Sequence, residues 1–448
     1  MDRRPFPSGW RGRVSRAPAV RSSPLATGHF LAATVATVAL GAISSQCAAQ
    51  VAGLPALGVS APQIAAGVDE RQVSLDVTGA YDSNVARSTA ALAAERGIIQ
   101  QDFYVVPSAN ALFSQVFGRE TVYLDATAGY KAYAKNPILD RSTIAIGAGA
   151  VGQLSLCQGT VASAYDRSQA DLSTLPVGVE GGRPVAAAKD TQTNAVVDFT
   201  AICGRSIGFA PTGNVSEAWV TNDNTAFSAI NAHIFSGSGG ITYRSPVLGS
   251  ATVSGQYSKV EYPDRILPFG GGTVGVGFQT TGAGVTFARA VGSRLSGTAS
   301  INYTHLEPQN GFTQGFSGVT YNADLSYALN PRLTLTGVVG RGVTPSNEIE
   351  ASFMVAEIYG AQASYALGSR LTVSTGYSRT HDNYEGIVIP VTFNLTEQTI
   401  NSFYGNATFQ LNKRISIGPS INYSQRTANF APFNYKDVLA AATVKSTF

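Results

Sequence analysis

The sequence has 448 residues, of which only 13% are charged, with 47 glycines, 2 methionines and a mean hydropathy of +0.06. Charge this sparse excludes a string of ordinary soluble domains, and a hydropathy near zero excludes a bundle of membrane helices. The formal charge of +3 is an N-terminal effect: without the six arginines and one acid of residues 1–49, 25 bases face 27 acids, a net of −2, with no basic stripe for nucleic acid.

Residues 1–49 read as a secretory signal peptide. A basic segment precedes the apolar run 30–43, about fourteen residues long and too short to span a bilayer as a helix. Cys47, Ala48 and Ala49 supply the small residues of a cleavage site, placed after Ala49. Ser44-Ser45-Gln46 does not fit a lipoprotein signal around Cys47, and Arg3-Arg4 lies too far from the apolar run for a twin-arginine signal, a route that also carries folded cargo. Residues 50–70, small and punctuated by proline, are expected to form a short periplasmic lead-in to a domain spanning 71–448.

From residue 71 onward apolar and polar residues alternate, and no amphipathic helix is evident. Alternation with a period of two describes strands that have one apolar and one polar face. It predicts about eighteen strands, with sixteen or twenty as the alternatives where weak segments merge, near 72–85, 102–117, 120–134, 141–156, 160–172, 191–203, 206–221, 230–243, 250–262, 274–289, 294–306, 315–329, 332–343, 354–367, 370–381, 398–411, 414–427 and 433–448. An even count leaves both termini on one side, as single-chain bacterial barrels require. The longer connections, near 86–101, 173–190, 222–229, 263–273 and 382–397, then face outward.

A turn with its flanks recurs: Tyr327-Ala-Leu-Asn-Pro-Arg-Leu-Thr, Tyr365-Ala-Leu-Gly-Ser-Arg-Leu-Thr, Phe409-Gln-Leu-Asn-Lys-Arg-Ile-Ser, and a looser copy at Val291. Its arginines, Arg294, Arg332, Arg370 and Arg414, are spaced by 38, 38 and 44 residues. The phase survives each turn, so Ile415, Ile417, Ile421 and Tyr423 share one face and Ser416, Ser420, Asn422 and Ser424 the other. Nine residues separate Arg414 from Tyr423. In a strand tilted by roughly 40–45° that is roughly 20 Å of axial rise, close to the apolar band between two aromatic girdles. The expected fold is all-β, a transmembrane antiparallel up-and-down barrel.

The chain ends on a strand in which Ala440, Ala442, Val444 and Phe448 alternate with polar Thr443, Lys445 and Thr447. A terminal aromatic strand resembles the assembly signal of bacterial outer-membrane β-barrels, in which the last Phe is read by the barrel-assembly machinery. That pattern also favours an aromatic two residues earlier, where this chain has Ser446. Together with Tyr81-Asp82-Ser83-Asn84-Val85 and the segment holding two cysteines, it makes the mature chain similar to a proteobacterial family of outer-membrane β-barrel porins, often encoded beside exopolysaccharide genes. The resemblance implies an outer-membrane location, contact with outer-membrane lipid, and a connection to polysaccharide.

Cys157 and Cys203 are the mature cysteines, and an oxidising compartment lets them pair. They fall at the periplasmic ends of neighbouring strands, so a disulfide is expected, against free thiols or a metal site. No cofactor or metal site is expected, and no catalytic residue: His233, His305 and His381 lie far apart, and no nucleophile–base pair shows in the sequence. Gly270–Gly275 matches a Gly-x-Gly-x-x-Gly pattern with no helix behind it, and reads as a loop. Asp82 and Asn84 suit a turn cap or a cation, and His381-Asp382 plain rim polarity.

Arg294, Arg332, Arg370 and Arg414 point, on this phase, to the lumen side of the periplasmic mouth. A guanidinium ring there favours anions, whereas snorkelling to lipid phosphate or bracing of tight turns are the competing readings. The expected function is a porin-like channel for small solutes, or one assisting polysaccharide export. The alternative is a plugged structural barrel whose outer loops bind surface polysaccharide or a partner.

Overall fold

The structure, a computed structural model, describes residues 69–448 except 171, 173–177, 181–182, 186–188, 270–271, 293, 310, 312, 347, 349–350 and 388–394. The expected signal peptide and all but the end of the lead-in lie outside the described residues.

Eighteen strands form one closed antiparallel sheet. In chain order they are β1 (Glu70–Asp82), β2 (Asp102–Phe117), β3 (Glu120–Tyr133), β4 (Arg141–Leu154), β5 (Cys157–Gln169) and β6 (Thr191–Cys203). Next come β7 (Gly208–Asn222), β8 (Ala232–Ser245), β9 (Gly249–Phe269), β10 (Gly272–Val291), β11 (Leu295–Pro308) and β12 (Phe316–Asn330). The wall is completed by β13 (Leu333–Pro345), β14 (Ala351–Leu367), β15 (Leu371–Ile387), β16 (Glu397–Gln410), β17 (Ile415–Ala428) and β18 (Tyr435–Thr447). Each strand pairs with the next, and β1 pairs with β18 from Ser74↔Thr447 to Asp82↔Leu439. The barrel sheet keeps no free edge, the condition for carrying backbone polar groups through lipid.

The alternation read from the sequence sets the two faces. Val73, Leu75 and Val77 are exposed on the outside, as are Phe199, Ile301, Tyr303, Leu325 and Ile421, while the residues between them turn inward. Aromatic pairs stand at both ends of the outward face: Phe209–Tyr243 at the turn end, with ring centroids 5.1 Å apart, and Tyr81–Phe103 at the loop end, at 4.9 Å. Inside, Gly149 admits the Tyr123 ring of the neighbouring strand; a Cβ there would fall on the Tyr123 hydroxyl and the Val161 carbonyl. Gly149→Ala is therefore expected to cost about 1–3 kcal/mol, read as a lower urea midpoint for the refolded barrel.

Three expectations need correction. The connection near 263–273 is not an open loop, because β9 and β10 continue through it: Ile266–Phe269 pair with Gly272–Gly275 beyond a register shift after Tyr262. Likewise β15 runs on to Ile387, into the expected loop 382–397, by pairing with the start of β14. A helix is present: α1 (Ala90–Glu95), only six residues long, with Thr89 Oγ1 accepting from Leu92 N at 3.4 Å. One turn and a half is too short for a helical period to show in a sequence.

Candidate functional site

The inward face is a wall of small polar side chains. Ser216, Ser236, Ser258 and Thr280 are direct cross-strand partners along β7, β8, β9 and β10, a continuous row of hydroxyls facing the lumen. Thr242 and Thr252 share a hydrogen bond at 2.8 Å, as do Thr304 and Thr320 at 2.9 Å. Tyr404 also faces inward: its ring lies over Gly376, where a Cβ would collide with it, and its hydroxyl donates to Gln362 Oε1 at 2.8 Å.

Charges are confined to part of this wall. Asp76 on β1 accepts from Asn110 Nδ2 at 2.6 Å, and Asn110 Oδ1 accepts from Thr127 Oγ1 at 2.7 Å. Asp198 on β6 accepts from Asn214 Nδ2 at 2.6 Å and Thr200 Oγ1 at 3.1 Å. Asp166 on β5 accepts from Ser168 Oγ at 3.2 Å. Lys445 stands opposite Asp76 in the β1–β18 register. At the turn end a cavity of about 930 Å³ opens between β7 and β13, lined among others by Arg244, Asp324, Ser296, Thr298 and Thr336.

The loop end is closed over much of its circumference. Val85, Ala93, Ile98, Leu139, Leu172, Phe227 and Ile230 pack a core among the connections after β1, β3, β5 and β7. Arg96 ties it by donating to Leu172 O at 2.9 Å. Beside it Asp190 accepts from Asn224 N at 3.0 Å, and burial raises its carboxyl above the usual range. Ala351, Tyr384, Leu395 and Phe433 form a second core on the opposite flank. Below them, inward apolar residues of β5 to β11, among them Ala218, Ile234, Val260, Phe278 and Leu306, pack as one buried cluster with Phe353 and Val355 of β14. Phe278 and Phe353 meet edge to face at 6.2 Å, although three strands, β11 to β13, separate them in the wall.

Arg265 joins the flanks. The register shift in β9 leaves residues 263–265 out of the ladder and re-aims the strand. Arg265 is fully buried and donates to Ala229 O at 2.8 Å, Ser346 O at 2.9 Å and Ala351 O at 3.1 Å. Its guanidinium lies 3.7 Å from the Tyr262 ring centroid, and the Tyr262 hydroxyl donates to Ser346 O at 3.2 Å. One side chain thus binds the β9–β10 hairpin to the connections β7–β8 and β13–β14. Sequence reading missed it, because nothing marks an arginine in a presumed loop whose partners lie 36, 81 and 86 residues away.

The expected residues are placed as follows. Cys157 and Cys203 are bonded, joining the first residue of β5 to the last of β6. Arg294, Arg332, Arg370 and Arg414 all lie exposed at turns. Each gives its backbone carbonyl to the neighbouring hairpin, accepting from Ala328 N, Ala366 N, Gln410 N and Thr447 N at 2.7, 2.8, 2.8 and 2.8 Å. Phe448 N donates to Val73 O at 2.8 Å, and its ring is exposed on the outside. Asp82 caps a turn by accepting from Asn84 N at 2.9 Å, and Asp437, not foreseen, accepts from Asn84 N and Ser83 Oγ at 3.1 Å each. Gly270 and Gly271 lie outside the described residues, and Gly272–Gly275 begin β10.

The histidines stay apart on the outward loop-end rim, each beside a glutamate: His233 with Glu217, His305 with Glu307 and His381 with Glu397, at 2.8, 3.0 and 3.9 Å. Among the described residues no group of three or more His, Cys, Asp or Glu is placed to hold a metal ion. A nucleophile–base contact does occur, against the sequence reading: Ser317 Oγ lies 2.6 Å from His305 Nδ1. Ser317 and His305 face each other across β11 and β12, a pairing that only the strand register discloses.

No curated protein matches this chain. Solved barrels of similar shape include Pseudomonas aeruginosa OpdK with vanillate, 11% identical with a TM-score of 0.45, covering 85% of this chain and 99% of that one. Pseudomonas aeruginosa OccK2 (OpdF) is 9% identical with a TM-score of 0.46, covering 85% and 98%. Residues 275–448, from β10 to the closing strand, match the family model described as "Putative beta-barrel porin 2", and the chain folds as a closed antiparallel β-barrel of eighteen strands.

Proposed function

We propose that the protein conducts small polar solutes across the outer membrane through its lumen, with passage limited at the loop end. The observation that carries this reading is the closed barrel of eighteen strands with an apolar outside and a hydroxyl-rich inside. Barrels of 16–18 strands enclose an aqueous channel unless something fills them. Small solutes suit this lumen better than a polymer chain, since buried apolar residues of β5 to β11 occupy its outer end. The terminal strand, ending on Phe448, is taken as the address for the assembly machinery, and the apolar outside as the lipid contact.

A channel is preferred to a catalyst on physical grounds. Ser317 and His305 sit on a flat sheet whose backbone N–H groups lie in the sheet plane and are engaged in the ladder. The Gln279 amide nearby already donates to Glu307 Oε2 at 3.1 Å. Among the described residues a developing oxyanion above Ser317 has no aimed donor, and such donors supply the largest single part of acyl-transfer catalysis.

The latched loop end favours a second reading, a plugged barrel whose outer loops bind a partner or surface polysaccharide. Refolded mature protein in a planar bilayer separates the two. Discrete conductance steps are expected. Folded protein that stays silent, even as the Arg265→Ala variant that frees the loop end, would leave the plugged barrel standing and sink the channel.

A further inference from the structure

Charge inside this barrel is divided by strand. From β7 to β11, between the turn-end Arg244 and the loop-end cluster, the inward residues are serine, threonine, asparagine, glutamine, glycine and alanine. The wall formed by β1, β3, β5 and β6 carries Asp76, Asp125, Asp166 and Asp198 on its inward face. Lys445 answers Asp76 across the seam, and Lys131 of β3 turns inward nearer the loop end, its ammonium 3.9 Å from the Tyr104 ring centroid.

Asp166 and Asp198 differ from these. Their hydrogen-bond donors are neutral: Ser168 for Asp166, and Thr200 with Asn214 for Asp198. Among the described residues neither forms a salt bridge. The pair runs along one side of the lumen: Asp166 is the register partner of Asn194, four residues along β6 from Asp198, or about 13 Å at the usual rise.

A second observation comes from acceptors that lack donors. Asn194 is 5% exposed, faces the lumen beside Asp166, and its Oδ1 has no hydrogen-bond partner. Asp76 Oδ1 is likewise buried without a donor. Beside the Asp166 and Asp76 carboxylates these oxygens are placed to accept from a passing group that brings positive charge or N–H and O–H donors.

We infer that the lumen selects for cations over anions, through Asp166 and Asp198 on the β5–β6 wall. This rests on the channel reading and deepens it by naming the class of solute that passes. Carboxylates inside a low-dielectric tube concentrate counter-ions from both mouths. The four turn arginines, by contrast, are exposed to bulk solvent, where their field decays within about 8 Å at physiological salt. An arginine-governed mouth and an aspartate-governed lumen therefore predict reversal potentials of opposite sign.

The test is the reversal potential of the mature protein in a planar bilayer across a potassium chloride gradient. The expected cation-to-anion permeability ratio is about tenfold at low salt. It should shrink toward unity near 1 M, where the Debye length is about 3 Å. Asp166→Asn with Asp198→Asn keeps shape and polarity and should bring the low-salt ratio close to one. Three results overturn the inference alone: a wild-type ratio at or below one, a ratio indifferent to salt, or a double variant as selective as the wild type. The first two are read on unaltered protein and do not depend on the variant folding. Folded protein without conductance, as wild type and as the Arg265→Ala variant alike, overturns the channel reading itself.

Discussion

Arg265→Ala is expected to release the outer mouth, raising both the frequency and the size of conductance steps over the wild type. Arg265 gives three loop carbonyls a donor inside a dry core. Ser346 O keeps the Tyr262 hydroxyl as a donor, whereas a carbonyl left buried without a partner costs about 1–3 kcal/mol. Opening to water restores those bonds, so the balance between closed and open hairpin moves toward open by several kcal/mol at most, while the membrane wall below keeps its ladder. Arg265→Lys should fall between, because one ammonium cannot reproduce a planar fork aimed at separate acceptors. Equal conductance in wild type and alanine variant would show that the hairpin does not control the mouth.

Replacing Cys157 and Cys203 by serine is expected to lower stability substantially without changing the conductance of molecules that do fold. The bridge joins residues 46 positions apart, and the chain-entropy estimate for a loop of that size is about 4 kcal/mol. Part of this is recovered by direct pairing of β5 with β6, which survives the substitution. The urea midpoint of refolded protein with and without reductant measures the difference, and the double variant should match the reduced wild type. A midpoint unmoved by reductant would mean that the ladder alone fixes these two strands.

The wall was legible because a barrel in a membrane obeys one rule throughout. Every strand must alternate, so β2 and β6 could be bounded to the residue and the strand count obtained from period alone. The same alternation turns Asp166 and Asp198 inward, a consequence not drawn from the sequence, and their meaning waits on the register that sets them beside neutral donors. The loop end obeys no such rule. Its cores assemble from short segments far apart in sequence, and Arg265 acts through backbone carbonyls, whose use leaves no trace in residue type. Ser317 and His305 were hidden for a related reason: twelve residues apart, they meet only because their hairpin has one particular register.

The carbonyls of Arg294, Arg332, Arg370 and Arg414 each receive the same kind of N–H from the following hairpin. Each hairpin is therefore fastened to the next by an interchangeable joint, and the last joint closes onto β18. Loss of one 38-residue repeat, residues 295–332, would bring Ala366 N to the carbonyl of Arg294 and leave the inward and outward faces as they were. Barrel circumference in this chain is a modular quantity, adjustable by two strands at a time without rewriting the sequence on either side.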